Sequence, residues 1–275
     1  MHVKERSSMK VALYHNDQQR SLKIVKELKK ELAQQGIKRD DVHPDLVITV
    51  GGDGTLLGAF HEYIGVNPDL RFVGLHTGHL GFYTDWLGGE VRELVASLVK
   101  DSGERVSYPL LKMTTTQADG RQTEYLALNE ATIKQPIGTL VADIYLGDHL
   151  FEGFRGDGVA IATPTGSTAY NKANGGAVLH PSIKAIQMSE IASINNRVFR
   201  TLGSPLIVPT GQTITVKPKH QSFLITCDQL EILAEDVVSV TFEVAETMIH
   251  FASYRHLDFW CRVQEAFIAD NALDE

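Results

Sequence analysis

Between residues 10 and 100, short apolar runs alternate with stretches whose apolar positions recur at helical intervals. KVALYHN (10–16) predicts a first strand. Leu22, Val25, Leu28 and Leu32 then recur among lysines and glutamates, and Gly36 supplies a helix stop. DLVITV (45–50) is an uninterrupted β-rich run, the pattern of a strand buried on both faces. A helix over 55–64, a strand over 71–76 and a helix over 89–99 follow. This order predicts a parallel sheet with helices on its faces. Ligands of such sheets bind beyond the carboxyl ends of the strands. Residues 51–55 lie at one such end and residues 76–83 at the next.

After Pro109 the pattern changes to alternation broken by turn signals at Asp119-Gly120 and Gly147-Asp148. Further β-rich runs cover 158–163, 205–209, 213–217, 222–227 and 237–244, with helices expected near 167–174 and 182–193. The tail over 259–270 turns helical and is expected to pack back on the first domain. The fold class expected is therefore an α/β N-terminal domain with a parallel sheet plus a mostly-β C-terminal domain. The first domain takes residues 1–109 and 255–275, the second 110–254.

Composition narrows the class. The chain has 275 residues, 43% of them hydrophobic and 22% charged, as in ordinary globular proteins. Its 26 basic and 34 acidic side chains leave a net charge of −8, which argues against a broad nucleic-acid surface. Only Cys227 and Cys261 occur, with no CxxC, so neither a disulfide framework nor a structural zinc site is expected. The opening MHVKERSSMK carries no apolar signal region, and no apolar run nears the roughly 20 residues that span a bilayer. A cytoplasmic protein without a membrane partner is the expectation, with translation starting at Met1 or Met9.

Three stretches carry candidate chemistry. In VGGDGTLL (50–57) the glycines let backbone approach a ligand, and the helix that follows aims free N–H groups at the loop. The stretch has no GK[ST], so it is not a P-loop. Asp53 or Thr55 serving only as a helix cap is the plainer alternative. HTGHLGFYTDW (76–86) offers Phe82 and Tyr83 as walls for a base or ribose, or simply as core. His76 and His79 are three apart but lack a clustered third ligand, which favours packing or hydrogen bonding over metal. FRGDGVAIATPTGSTAYNKANGGAVLHP (154–181) is costly to order unless something binds there. Arg155 offers a fork for phosphate, Asp157 an acceptor, and Thr168, Ala169 and Tyr170 a helix start. A turn region capped by Ser167 or Thr168 is the alternative. Asn129 and Glu130 in LNEATI lie side by side on a strand, so both face one ligand only at a bulge or strand end.

Taken together, GGDGT, GHLGF, LNE and RGDGVAIATPTGSTAY in that order resemble the NAD kinases, from the first strand to nearly the last residue. GGDGT alone is shared with diacylglycerol, sphingosine and phosphofructokinase-type kinases. The long third motif with the upstream Asn-Glu selects NAD kinase. The resemblance implies transfer of a phosphoryl group from ATP or polyphosphate to the 2′-hydroxyl of the adenosine ribose of NAD, making NADP. It implies Asp53 as catalytic base, with Gly54 beside it in the nucleotide loop. It implies that Asn129, Glu130, Arg155, Asp157, Thr168, Ala169, Tyr170, Asn171, Lys172, Ala173, Ala192 and Gln229 bind the dinucleotide, with some contacts crossing a subunit boundary. Mg²⁺ would arrive with ATP, no protein residue is assigned as a metal ligand, and a homo-oligomer (tetramer or dimer) is implied. Two positions depart from the family: His76 stands where many relatives have Asn, and Asp228-Gln229-Leu230 where many have D-G-Q.

The implied reaction explains an acid in a phosphate-facing loop. A ribose hydroxyl is a poor nucleophile and must lose its proton as the new P–O bond forms, and a carboxylate in reach orients it and takes that proton. The transition state is loose, so positioning and charge neutralisation dominate. Two other classes compete. A lipid kinase would need an apolar or amphipathic membrane device, and the helix at 21–35 shows only a core stripe. A non-catalytic dinucleotide sensor would have no use for Asp53.

Overall fold

The computed structural model describes residues 9–78, 81–219, 223–255 and 257–269. They form two compact units, Met1–Ser107 with Ile249–Glu275, and Tyr108–Met248.

The strands of the first unit are β1 (Lys10–His15), β2 (Lys38–Arg39), β3 (Leu46–Val50), β4 (Arg71–His76) and β5 (Trp86–Leu87); β1, β3 and β4 are the three expected apolar runs, and the two-residue β2 and β5 were not expected. The helical stretches become α1 (Gln19–Gln34), α2 (Asp53–Tyr63) and α3 (Val91–Val99). The strands pair in parallel in the order β5-β4-β3-β1-β2. His15 lies opposite Val50, and Val50 opposite Leu75, so β1, β3 and β4 end level. All five residues of β3 are buried, as its unbroken run predicts. Ile24, Leu28 and Leu32 of α1 pack with Leu94 and Leu98 of α3 over Leu46, Ile48, Val73 and Leu75. Val25, Leu28 and Leu32 of the expected α1 stripe are buried. Ser21 and Ile24 face inward, whereas Leu22 is 43% exposed.

The second unit is built on hairpins. Its elements are β6 (Arg105–Gln117), which begins in the first unit, then β7 (Gln122–Ala127), β8 (Glu130–Lys134), β9 (Leu140–Leu146), β10 (His149–Gly156) and β11 (Gly158–Ala162). After a 3-10 turn, Thr165–Thr168, come α4 (Tyr170–Ala173), β12 (Ala185–Ile191), β13 (Leu206–Pro209), β14 (Ile214–Pro218), β15 (Leu224–Cys227) and β16 (Leu230–Ile232). β17 (Val237–Ala252) returns the chain to the first unit. One antiparallel sheet runs β13-β12-β11-β8-β15-β16, and a second carries β10-β9-β14-β17. Ile133, Val159, Ile161, Met188 and Ile225 of the first meet Ile144, Phe154, Ile214, Val240 and Phe242 of the second in one core.

The helix expected near 182–193 is instead strand β12, paired on both sides by β11 and β13. Burial on both faces removes the alternation that marks a strand: Ala185, Ile186, Gln187, Met188 and Ser189 are all buried. Its two buried polar side chains are bonded inward, Gln187 to the backbone of Ala177 and Ser189 to Asn171.

The last residues of β17 join the first unit's sheet, where His250 and Phe251 pair in parallel with Arg71 and Phe72 of β4. α5 (Phe259–Phe267) closes the chain, its first turn capped by the Asp258 carboxylate, which accepts from the N–H groups of Trp260 and Cys261. Among the described residues no helix is long and apolar enough to cross a membrane.

Candidate active site

α2 starts at Asp53, with Gly52 as its N-cap residue and no side chain capping it. Asp53 is therefore not the cap. Its carboxylate reaches the next loop instead, accepting from the N–H of Phe82 at 2.9 Å and of Tyr83 at 3.1 Å. Thr55 is not the cap either. Its Oγ1 accepts from Asn16 Nδ2 at 3.3 Å, and a Cβ on Gly51 would fall on that same hydroxyl. The loops after β1, β3 and β4 are thus tied together at the level carboxyl end of the sheet. Gly54, exposed in the first turn of α2, has nothing within 4 Å of a built Cβ, so the loop stays open above it.

His76 uses its ring locally, Nδ1 accepting from the Gly78 N–H at 2.7 Å. His79 lies outside the described residues. Phe82 and Tyr83 both make packing contacts. Tyr83 is buried and stacks on Phe251, and Phe82 lies against Phe259 and Phe267 of α5.

In the second unit the candidate residues fall into two groups. Asn129 and Glu130 sit at the entry to β8, the strand-end alternative. Asp228 holds that entry, its carboxylate accepting from the N–H groups of Leu128, Asn129 and Glu130 at 2.9, 2.7 and 3.2 Å. Asp228 itself turns at φ 52, and its N–H donates to the Glu130 carbonyl at 2.8 Å. The Asp-Gln turn joining β15 to β16 thereby leaves Gln229 exposed. Thr163 binds the Leu128 carbonyl through Oγ1 at 2.6 Å, and the Asn129 carbonyl accepts the Thr163 N–H. A Cβ on Gly166 would fall on the Asn129 carbonyl, so the turn carrying Thr168 and the Asn-Glu pair are in backbone contact.

Glu130 is mostly buried and its Oε2 has no hydrogen-bond partner. Desolvation, and then the charge of Asp228, push its pKa up to about 7, against the Tyr170 N–H and Lys134, which favour the anion. The Lys134 ammonium lies 4.2 Å from the centre of the Tyr170 ring. Ala169 and Tyr170 are half-buried at the start of α4, and Lys172 and Ala173 are exposed. Neither Ser167 nor Thr168 caps α4: Ser167 Oγ bonds the backbone of Leu179, and Thr168 Oγ1 the Thr165 carbonyl. Asn171 is 0% exposed, its amide bonded to the Ser167 and Ala177 carbonyls and the Ser189 hydroxyl. It holds the turn together and presents no surface.

The other group lies at the far end of β11. Asp157 donates its N–H to the Ile191 carbonyl, and the Ile194 N–H reaches the Arg155 carbonyl at 2.8 Å. Between those two bonds Ala192 is exposed at φ 47, a backbone state that costs an alanine about 1 kcal/mol or more. The Arg155 guanidinium lies 4.0 Å from the centre of the Phe199 ring. In the ladder Glu130 faces Ala162 and Lys134 faces Gly158. The two groups are therefore about four strand residues apart, roughly 13 Å. Among the described residues no group of three or more His, Cys, Asp or Glu side chains is placed to hold a metal ion.

Residues 1–103 match the model of the ATP-NAD kinase N-terminal domain, and residues 128–252 that of the ATP-NAD kinase C-terminal domain. The NAD kinase of Leuconostoc citreum (strain KM20) is 64% identical over 262 residues, covering 95% of this chain and 99% of that protein. The chain belongs to the NAD kinase family. It is an enzyme that phosphorylates NAD. The NAD kinase of Enterococcus faecalis (strain ATCC 700802 / V583) is 51% identical, covering 96% of this chain and 100% of its own. Among solved structures, yeast NADH kinase complexed with NADH superposes with a TM-score of 0.84 at 18% identity, covering 98% of this chain and 89% of that one. An NAD kinase from Archaeoglobus fulgidus in complex with ATP superposes with a TM-score of 0.71 at 22% identity, covering 89% and 93%. These two show the shared fold.

Sequence reasoning missed three contributors to this NAD kinase's candidate site. Asp228 was noted only as a departure, yet it orders Asn129 and Glu130. Lys134 carries no motif, and only its position four residues along the strand from Glu130 hints at a shared face. Arg262 lies in the helical tail with no motif around it, and it is buried with Asp85.

Proposed function

We propose that this chain transfers the terminal phosphoryl group of Mg-ATP to the 2′-hydroxyl of the adenosine ribose of NAD, with Asp53 as the general base. One observation carries the reading: the Asp53 carboxylate is held by two backbone N–H groups at the level carboxyl ends of β3 and β4, where ligands of parallel sheets bind. A carboxylate so fixed loses little freedom when it orients a hydroxyl, and each oxygen keeps lone pairs for the incoming proton. The P–O bond to the ribose oxygen forms as the bond to the leaving diphosphate breaks, and the hydroxyl proton passes late to Asp53. The divalent metal enters as part of the nucleotide substrate, where it offsets the repulsion between triphosphate and Asp53.

Asn129, Glu130, Thr168, Ala169, Tyr170, Lys172, Ala173 and Gln229 form one dinucleotide-binding group, with Asn171 behind them. The buried, unpartnered Oε2 of Glu130 suits a ligand hydroxyl or amide. Arg155, Asp157 and Ala192 complete the site of another copy. Exposed Val198 and Leu202 in the adjoining loop, at 77% and 49%, support this reading. A homo-oligomer, tetramer or dimer, follows, working in the cytoplasm.

The test is the purified protein with NAD and either Mg-ATP or Mg-polyphosphate, the product read by an NADP-specific dehydrogenase. Signal with ATP is the expected result. Signal with polyphosphate alone would replace the donor, and dinucleotide binding without turnover from either would favour a sensor.

A further inference from the structure

We propose that Arg262 of α5 is a positioning residue for the phosphoryl-transfer step, acting on Asp53 through the backbone of residues 81–85. The proposal rests on the reading of Asp53 as the base. Arg262 is 5% exposed, and all three of its guanidinium nitrogens donate, Nε to the Leu257 carbonyl. Nη1 donates to the carbonyls of Gly81 and Thr84, each at 3.0 Å, and Nη2 forms a buried ion pair with Asp85. The segment so clamped presents the Phe82 and Tyr83 N–H groups to the two oxygens of Asp53. Within it the Gly81 N–H bonds Thr84 Oγ1 at 3.0 Å, which closes the segment on itself. The Gly81 carbonyl and the Phe82 N–H belong to one peptide group, so guanidinium, that peptide and the Asp53 carboxylate form one unbroken relay, with the Thr84 carbonyl bracing the turn behind it.

The chemistry of the contact makes arginine the fitting residue. Two carbonyls and a carboxylate lie around one planar, five-donor head, whereas an ammonium is a point donor on a flexible stem. A base that must lie within hydrogen-bond reach of its hydroxyl is sensitive to small displacements. Loosening the carbonyl clamp lets the two N–H groups drift, and Asp53 turns with them. Substrate binding, which uses other groups, is left intact.

The experiment uses the full chain and four proteins: the parent, Arg262→Lys, Asp53→Asn and the double variant, with Arg71→Lys as a control. Arg71 makes a second buried ion pair in this unit, two-pronged onto Asp101, at the start of β4 and so at the opposite end of that strand from the Asp53 loop. Arg262→Lys keeps a charge beside Asp85 and so should stay folded, as circular dichroism and melting would show. The expected result is kcat lowered about 10- to 100-fold with KM for NAD and ATP within about twofold of the parent. In the Asp53→Asn background the same substitution should cost less than about twofold, since two members of one relay are not additive. Arg71→Lys should leave kcat unchanged at equal or greater loss of stability. Full additivity in the double variant, or a rise in KM at constant kcat, overturns the proposal. Asp53→Asn with parental turnover overturns the base reading itself, which is a distinguishable outcome.

Discussion

Gly81 packs so closely against the Asp53 carboxylate that a side chain of any size at position 81 would displace it. Gly81 has no positive φ, so the glycine is there for space and not for backbone freedom. This ties the second glycine loop to the first more directly than either motif suggests.

Gly81→Ala should therefore act on chemistry more than on folding. We expect kcat to fall at least about tenfold, because the Asp53 carboxylate is pushed off its place, while the chain still binds NAD. Steady-state kinetics beside equilibrium binding of NAD will separate the two. Weakened NAD binding at unchanged kcat would mean that Asp53 does not govern the chemical step.

Asp53→Asn should lower kcat by roughly 10²–10⁴, the range for a lost general base, with NAD affinity kept. A role in holding the metal makes a different forecast. The loss would then shrink as Mg²⁺ is raised, or change on substitution by Mn²⁺. A metal titration of the variant at saturating substrates decides between them.

Glu130 makes stability depend on pH. Its folded pKa is raised from 4.5 to about 7, so across that interval the native protein holds a proton that the unfolded chain has released. The unfolded state binds fewer protons there, and stability falls as pH rises from about 4.5 to about 7, then levels off. Glu130→Gln removes this slope. Melting temperatures recorded from about pH 5 to pH 8 should show the variant gaining on its parent as pH rises. Parallel curves would place the proton elsewhere.

Gly166→Ala tests the contact between the long glycine-rich stretch and the Asn-Glu pair. The added methyl falls on the Asn129 carbonyl and must shift backbone. We expect a loss of about 1–3 kcal/mol in denaturant unfolding. KM for NAD should rise while the KM for ATP holds.

Much of this was legible in the sequence, for physical reasons that differ from place to place. β3, the glycine turn and α2 announced themselves because a fully buried parallel strand has an unbroken apolar run. β12 did not, because two-sided burial and satisfied polar side chains at Gln187 and Ser189 erase the period of two that marks a strand. Leu22 misled because a lysine-rich helix tolerates an exposed leucine, and inward Ser21 gives no apolar signal. Asn171 read as a ligand contact because polar residues in such a stretch resemble one another. Only the three-dimensional bonds to Ser167, Ala177 and Ser189 reveal a brace. Arg262 was invisible for the same reason, since its partners lie some 180 positions upstream.

The spacing of the two candidate groups along β11 carries a consequence for how the enzyme behaves on dilution. If each pocket is finished by a neighbour's Arg155, Asp157 and Ala192, a solitary chain owns two halves and no whole. Specific activity would then decline as total enzyme is lowered, even though every molecule stays folded. Mixing two inactive variants, one damaged at each end of β11, would restore a fraction of working pockets.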